Sequence, residues 1–218
     1  MTLVELLMAL SITTLIGVAV AGMTMAASDA QRATDAQNDS LQAARSSLGR
    51  LEQLIRQARL ISGGGSDHLA LWVGDTNGDG QINADETLYL TYLAGQRVVR
   101  MKSVRFPLNM DPLYKLLLNE QVPLSLSGDV AVLDTLTGSI TYVQESDVAV
   151  DVDYLEFKFD VAPPLTGAVT IAARFGQAPR TLSANSTMHL RAGATRDVVN
   201  DGGEYVLNIP LCEVTSAS

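Results

Sequence analysis

From Met1 to Ala27 the chain reads MTLVELLMALSITTLIGVAVAGMTMAA, and its only ionisable side chain is Glu5. As a helix rising 1.5 Å per residue, about 27 residues extend roughly 40 Å, enough to cross a bilayer. No lysine or arginine precedes the apolar run, so it lacks the basic region that opens a secretory signal peptide. An ordinary transmembrane anchor accounts for the hydrophobicity but leaves Glu5 unexplained. Between Val4 and Leu6 an unpaired carboxylate is costly in hydrocarbon. The expected partner is a free α-amino group from a neighbouring copy, which an axial stagger of packed helices would bring alongside Glu5. Because desolvation penalises the unpaired charge, such a pair selects the stagger more than it adds stability.

The rest of the chain is polar. Of its 24 acidic and 15 basic side chains, setting Glu5 aside leaves 23 against 15, a net charge of about −8. That balance, with no run of Lys and Arg to neutralise phosphates, excludes nucleic acid as the principal partner. A length of 218 residues suits one domain of on the order of 100 to 200 residues with an appendage. Cys212 is the only cysteine, so no intrachain disulfide forms, and a buried structural thiol is expected.

Beyond Ala27, Leu41, Leu48, Leu51, Leu54, Ile55 and Ala58 recur at helical spacing while Arg32, Asp35, Asp39, Arg45, Arg50, Glu52 and Arg56 occupy other faces. The pattern predicts a helix to about Ile61, stopped by Gly63-Gly64-Gly65. Strands are predicted at 68–73, 87–93, 97–103, 130–133, 139–143, 148–161, 168–175, 187–192 and 204–210. The alternation Tyr154-Leu155-Glu156-Phe157-Lys158-Phe159-Asp160 is the clearest half-buried strand. Turn residues separate most of the runs, so the sheet is expected to be antiparallel and the fold α+β, with the amphipathic half of the helix packed on the sheet. Three segments follow: a hydrophobic membrane or filament-core helix at 1–27, its amphipathic continuation at 28–62, and a β-rich head at 63–218.

Residues 75–86 read Asp-Thr-Asn-Gly-Asp-Gly-Gln-Ile-Asn-Ala-Asp-Glu, which matches the twelve-residue calcium loop at its diagnostic positions. Ca²⁺ takes six to eight oxygens. Asp75, Asn77 and Asp79 would give side-chain oxygens, Gln81 its carbonyl, Asn83 a contact through water, and Glu86 both carboxylate oxygens. A bare hairpin turn at Asn77-Gly78 or Asp79-Gly80 has no use for Ile82 or Glu86 at those offsets. Strand-like flanks at 69–73 and 87–90 point to a static clamp rather than a helix-pair sensor. A second acidic group, Asp197, Asp201 and Glu204, lacks this spacing and reads as a solvated turn. Asn38 and Asn185 begin sequons that could carry glycans, although the three-residue pattern is common by chance.

The run Met1-Thr2-Leu3-Val4-Glu5-Leu6-Leu7, followed by an apolar helix, resembles the mature N-terminus of type IV pilins and of the pseudopilins of type II secretion. The resemblance implies cleavage by a prepilin peptidase, N-methylation of Met1, and a role for Glu5 in guiding assembly. It also implies the pilin fold, a stay in the inner membrane, and then an extracellular filament of copies of this chain or related pilins, built by a pilus or secretion assembly machinery. Two departures stand out: Met1 replaces the commoner phenylalanine, and Gly17 and Gly22 stand where many pilins carry a helix proline. These glycines would either let the helix loosen between Thr13 and Gly22 or permit close helix contact. The order of segments Leu93 to Arg100, Leu155 to Phe159 and Thr187 to Arg191 is loosely similar to that of the J-type minor pseudopilins and their W-type pilus counterparts.

No catalytic constellation is recognisable from spacing. His68 and His189 are the only histidines and lie far apart, and Gly63-Gly64-Gly65 is followed by no Lys-Ser or Lys-Thr pair. The expectation is a non-enzymatic structural subunit with calcium as its cofactor. The alternatives are a low-copy minor pseudopilin at the tip of a secretion pseudopilus or pilus, and a membrane-tethered calcium-binding domain.

Overall fold

The computed structural model describes residues 3–119, 121–122, 142–177, 180–190, 198–201 and 204–207. The fold is α+β, a long N-terminal helix followed along the chain by antiparallel sheets. The chain divides into two compact units, residues 1–42 and residues 43–218.

Helix α1 runs unbroken from Leu3 to Gln57, 55 residues, with Glu5 in its first turn and Arg56 in its last. Both charges oppose the partial charges of the helix ends. In the first unit, thirteen large apolar side chains between Leu3 and Met25 are each more than half exposed. The hydroxyls there are satisfied by the helix itself: Ser11 donates to Leu7 O at 2.9 Å, Thr13 to Ala9 O at 2.7 Å, Thr14 to Ser11 O at 2.9 Å and Thr24 to Val20 O at 2.8 Å. Cβ atoms added at Gly17 or Gly22 would meet nothing within 4 Å.

In the second unit the last turns of α1 bury a stripe of Ala44, Ser47, Leu51 and Ile55. Five strands form one antiparallel sheet in the order β1 (Leu60–Gly64), β2 (His68–Trp72), β3 (Thr87–Leu93), β4 (Val98–Val104) and β5 (Val143–Ala149). A second sheet joins β6 (Val152–Phe159), β7 (Ala168–Gln177) and β8 (Arg180–His189), and β9 (Val198–Asp201) pairs with β10 (Glu204–Leu207). The helix stripe shares one core with Leu69, Leu71, Leu90 and Val99 of the first sheet and Leu155, Phe157, Ile171 and Phe175 of the second. On β2 the alternation of period two sends Trp72 into a separate core with Leu60, Ile82, Ala84, Val104 and Val122.

The helix stops four residues before the expected end, and the glycines are not its terminator. Ala58 N–H closes back on Ile55 O at 3.2 Å, and Arg59 N–H turns to Trp72 O at 2.8 Å, which starts sheet pairing. Gly63 and Gly64 belong to β1, opposite Ala70 and Leu69. A Cβ on Gly64 would lie 2.7 Å from Phe159 Cζ and one on Gly65 2.6 Å from His68 Cε1. At Gly64 glycine is therefore required by a neighbour remote in sequence, and at Gly65 by the next strand of the same hairpin, rather than by a helix break.

Predicted strands at 68–73, 87–93, 97–103 and 168–175 correspond to β2, β3, β4 and β7 within a residue or two. The run read as one strand at 148–161 is two, β5 and β6, divided at Asp151, whose φ is 58°. There the Asp151 carboxylate meets Arg97 Nη2 at 2.8 Å, and Arg97 itself has φ 58°. Gly176 N–H donates to Asp151 O at 3.0 Å and Val152 N–H to Arg97 O at 2.9 Å, so this corner joins the two larger sheets. Strand β8 begins seven residues before the predicted one. The predicted strand at 130–133, most of that at 139–143, the end of that at 204–210, Cys212 and Asp197 lie outside the described residues.

Replacing Gly64 by Ala should lower stability by about 1–3 kcal/mol, the usual cost of overpacking. A reduced urea midpoint of the detergent-solubilised chain, with its circular dichroism retained, checks this. An unchanged midpoint would mean that Phe159 yields without cost.

Candidate functional site

The loop at 75–86 enters from β2 and leaves into β3, the two strands being paired from His68↔Thr91 to Trp72↔Thr87. Its first half is wound around Asp75. Asp75 Oδ1 accepts Gly78 N–H at 2.6 Å and Asp79 N–H at 3.2 Å, while Oδ2 accepts Gly80 N–H at 2.9 Å. Gly78 and Gly80 have φ of +76° and +72°, left-handed conformations that glycine adopts without Cβ strain. Asn77 Oδ1 accepts Asp79 N–H at 3.0 Å, and Asp79 Oδ1 accepts Gln81 N–H at 2.8 Å.

Asp79 Oδ2 receives amide N–H from both Asn77 and Asn83 at 2.8 Å. Burial alone pushes the Asp79 carboxyl up, but the hydrogen bonds from Asn83, Gln81 and Asn77 outweigh it and hold the group below its ordinary value. Asp75, Asn77, Asp79 and Asn83 therefore form one hydrogen-bonded set, with Gln81 contributing its backbone.

Glu86 is held elsewhere. It is 3% exposed, accepting Trp72 Nε1–H on Oε2 at 3.3 Å and both the backbone N–H and, at 2.8 Å, the hydroxyl of Thr76 on Oε1. Ile82 and Ala84, both 2% exposed, pack with Trp72 and pin the second half of the loop to the smaller core. Among the described residues, no three His, Cys, Asp or Glu side chains gather as a metal-binding group. The oxygen-only donors along 75–83 are of the kind that hard cations take. The Glu86 carboxylate takes its bonds from Trp72 and Thr76 and, among the described residues, none from the side chains of Asp75, Asn77, Asp79 or Asn83.

Sequence reasoning missed Trp72 and Thr76 as partners of Glu86. It also missed α2 (Pro112–Leu118) and the residues after it, which hold the exit of the loop. Lys115 Nζ lies 3.0 Å from Asp85 Oδ2, Asn119 Oδ1 accepts Asp85 N–H at 3.1 Å, and Val122 N–H donates to Ile82 O at 2.8 Å. No spacing rule links positions some 30 residues apart, so the sequence carried no signal for these contacts.

The remaining candidates are spread out. Glu5 lies in the first turn of α1, and Met1 lies outside the described residues. α1 contains a segment long and apolar enough to cross a membrane. His68 Nδ1 is 2.7 Å from Asp67 Oδ1 on the first sheet, while His189 sits opposite Ala168 on the second. Asn38 and Asn185 are both exposed.

Glu86→Ala should cost about 1–3 kcal/mol, because it leaves the buried indole N–H without an acceptor. Trp72 is the only tryptophan, so its emission should also shift to the red. Unchanged emission would show that burial of the ring does not depend on this carboxylate. Compared with known proteins, the sequence matches no protein-family model, and no curated protein matches it.

Proposed function

We propose that this chain is a structural subunit of an extracellular type IV pilus-like filament, without enzymatic activity. The observation that carries the reading is the apolar surface of α1 from Leu3 to Met25, exposed along its whole length and interrupted by the single carboxylate of Glu5. Fully burying one such side chain is worth about 1.5–3 kcal/mol, so thirteen of them demand cover. Lipid of the inner membrane supplies it before assembly, and the helices of neighbouring subunits supply it in the fibre.

The internally bonded hydroxyls of Ser11, Thr13, Thr14 and Thr24 support this reading, since polar groups in hydrocarbon must be satisfied within the protein. Open space at Gly17 and Gly22 admits the close approach of a second helix. In this reading Glu5 pairs with the amino terminus of a neighbouring subunit, after a prepilin peptidase has exposed Met1 for N-methylation. The partners are then copies of this chain or related pilins, and the assembly machinery of a pilus or secretion system.

Calcium is the proposed cofactor of the second unit. Asp75, Asn77, Asp79, Gln81 through its carbonyl, Asn83 and Glu86 are the residues that would hold it. Bound calcium would supply a fixed positive charge that draws the oxygens of 75–86 together, as disulfides tie other extracellular domains. The oxygen donors already gathered by the Asp75 and Asp79 bonds support this role.

Glu5→Ala should leave the chain in the membrane and abolish fibres, as seen by electron microscopy of cells and membrane fractions. Normal fibres from that variant would overturn the pairing. Wild-type chains that stay single in the membrane would overturn the filament and leave a tethered domain. For calcium, a chelator should lower the unfolding free energy of the detergent-solubilised chain relative to about 10 mM calcium by about 1.4–2.7 kcal/mol. This is the range expected for dissociation constants near 10⁻³ to 10⁻⁴ M. Identical melting curves with chelator and with calcium would remove the cofactor.

A further inference from the structure

The two halves of the 75–86 loop are joined through Asn83 and Glu86, but among the described residues only the second half has a further support from outside. Asp75–Gly80 is wound on the loop's own carboxylates. Ile82–Glu86, which carries Asn83 and Glu86, is gripped from outside by residues 30 or more positions further along. Ile82 O accepts Val122 N–H at 2.8 Å, Asn83 forms an antiparallel bridge with Gln121, and Asp85 meets Lys115 and Asn119 at 3.0 and 3.1 Å.

Local chemistry accounts for this grip. Asp111 caps α2 by accepting Leu113 N–H at 2.8 Å, and a proline follows the cap, both favoured at a helix start. Asn119 N–H closes on Lys115 O at 2.8 Å, so Lys115 and Asn119, four positions apart, share one face and reach the same residue. Lys115 Nζ also lies 5.7 Å from the centroid of the Phe106 ring, which packs against the core holding Ile82 and Ala84.

Asp85 gives this contact its consequence. Its side chain is 14% exposed. Among the described residues its Oδ1 is buried without a hydrogen-bond partner, and Lys115 faces the other oxygen. Removing the lysine leaves a largely buried carboxylate without its counter-charge, which is strongly unfavourable. The strain falls on the single turn Ala84–Glu86 that presents Glu86.

We propose that Lys115 and Asn119 are positioning residues for the calcium loop, so that calcium at 75–86 and docking of α2 with residues 121–122 strengthen each other. The inference rests on the calcium reading of the loop and goes beyond it by assigning the loop's second wall to residues outside the twelve-residue motif. Linkage makes the effect reciprocal: whatever loosens that docking weakens calcium, and calcium tightens it.

Calcium chloride binding by equilibrium dialysis and hydrogen exchange at the amides of Asp85 and Val122 test this on the full chain in detergent micelles. In wild type, calcium should slow exchange at both amides, a result that needs no variant to fold. Lys115→Ala should weaken calcium binding about fivefold or more, the lower end of coupling between linked sites, and Lys115→Arg should restore most of it. Lys158→Ala, which removes an equal charge from the exposed pair with Glu156, should bind as wild type. Equal weakening by both alanine variants would deny Lys115 any particular role and overturn the proposal, since loss of a positive charge by itself favours a cation. Wild-type affinity in Lys115→Ala, or exchange at Asp85 and Val122 indifferent to calcium, would overturn it while leaving the calcium reading intact. Absence of calcium binding by wild type would overturn both.

Discussion

Ala44, Leu51 and Ile55 form a stripe on α1, and the buried residues of both larger sheets enclose it in a single core. The sheets also meet directly, at the corner of Arg97, Asp151 and Gly176 and where Phe159 lies against Gly64. Apolar contact with the helix adds a shared core to these links. Strand β2 then carries that organisation across the first sheet, because Leu69 and Leu71 face the helix core while Trp72 faces the opposite one. The polar loop hangs on this second side through Ile82, Ala84 and the bond from Trp72 to Glu86.

The same helix carries two surface patterns. Its earlier turns present apolar side chains on every face and satisfy their own hydroxyls. Its later turns are apolar on one stripe only, with Glu52 bonded to Ser186 on β8. Such a change of pattern within one helix suits an environment that changes along it, hydrocarbon or packed helices first and a water-facing domain after. In the proposed filament this division lets assembly act on the first unit without asking the second to unfold.

A loop built from Asp, Asn and Gly is costly to order, since its glycines have much conformational freedom to lose. Here three means share that cost: the carboxylate of Asp75, the apolar anchors Ile82 and Ala84, and the hook from α2. The site is therefore part of how the second unit packs rather than an appendage to it. The proposed cation would add to an arrangement that hydrogen bonds have already brought close.

What the sequence determined by itself is what local periodicity and local chemistry encode. The apolar run, the leucine spacing that becomes the helix stripe, the alternation of β6 and the glycines that wind Asp75 to Gly80 all act within a few residues. They were legible for that reason. Tertiary structure alone decided the close approach at Gly64, because Phe159 must rest on it. It also decided the corner at Asp151, made by Arg97 from another hairpin, and the partners of Glu86 and Asp85, which lie 14 and 34 positions away at Trp72 and Asn119. Contacts of that kind are chosen by which surfaces the folded chain brings together, and no period in the sequence records them.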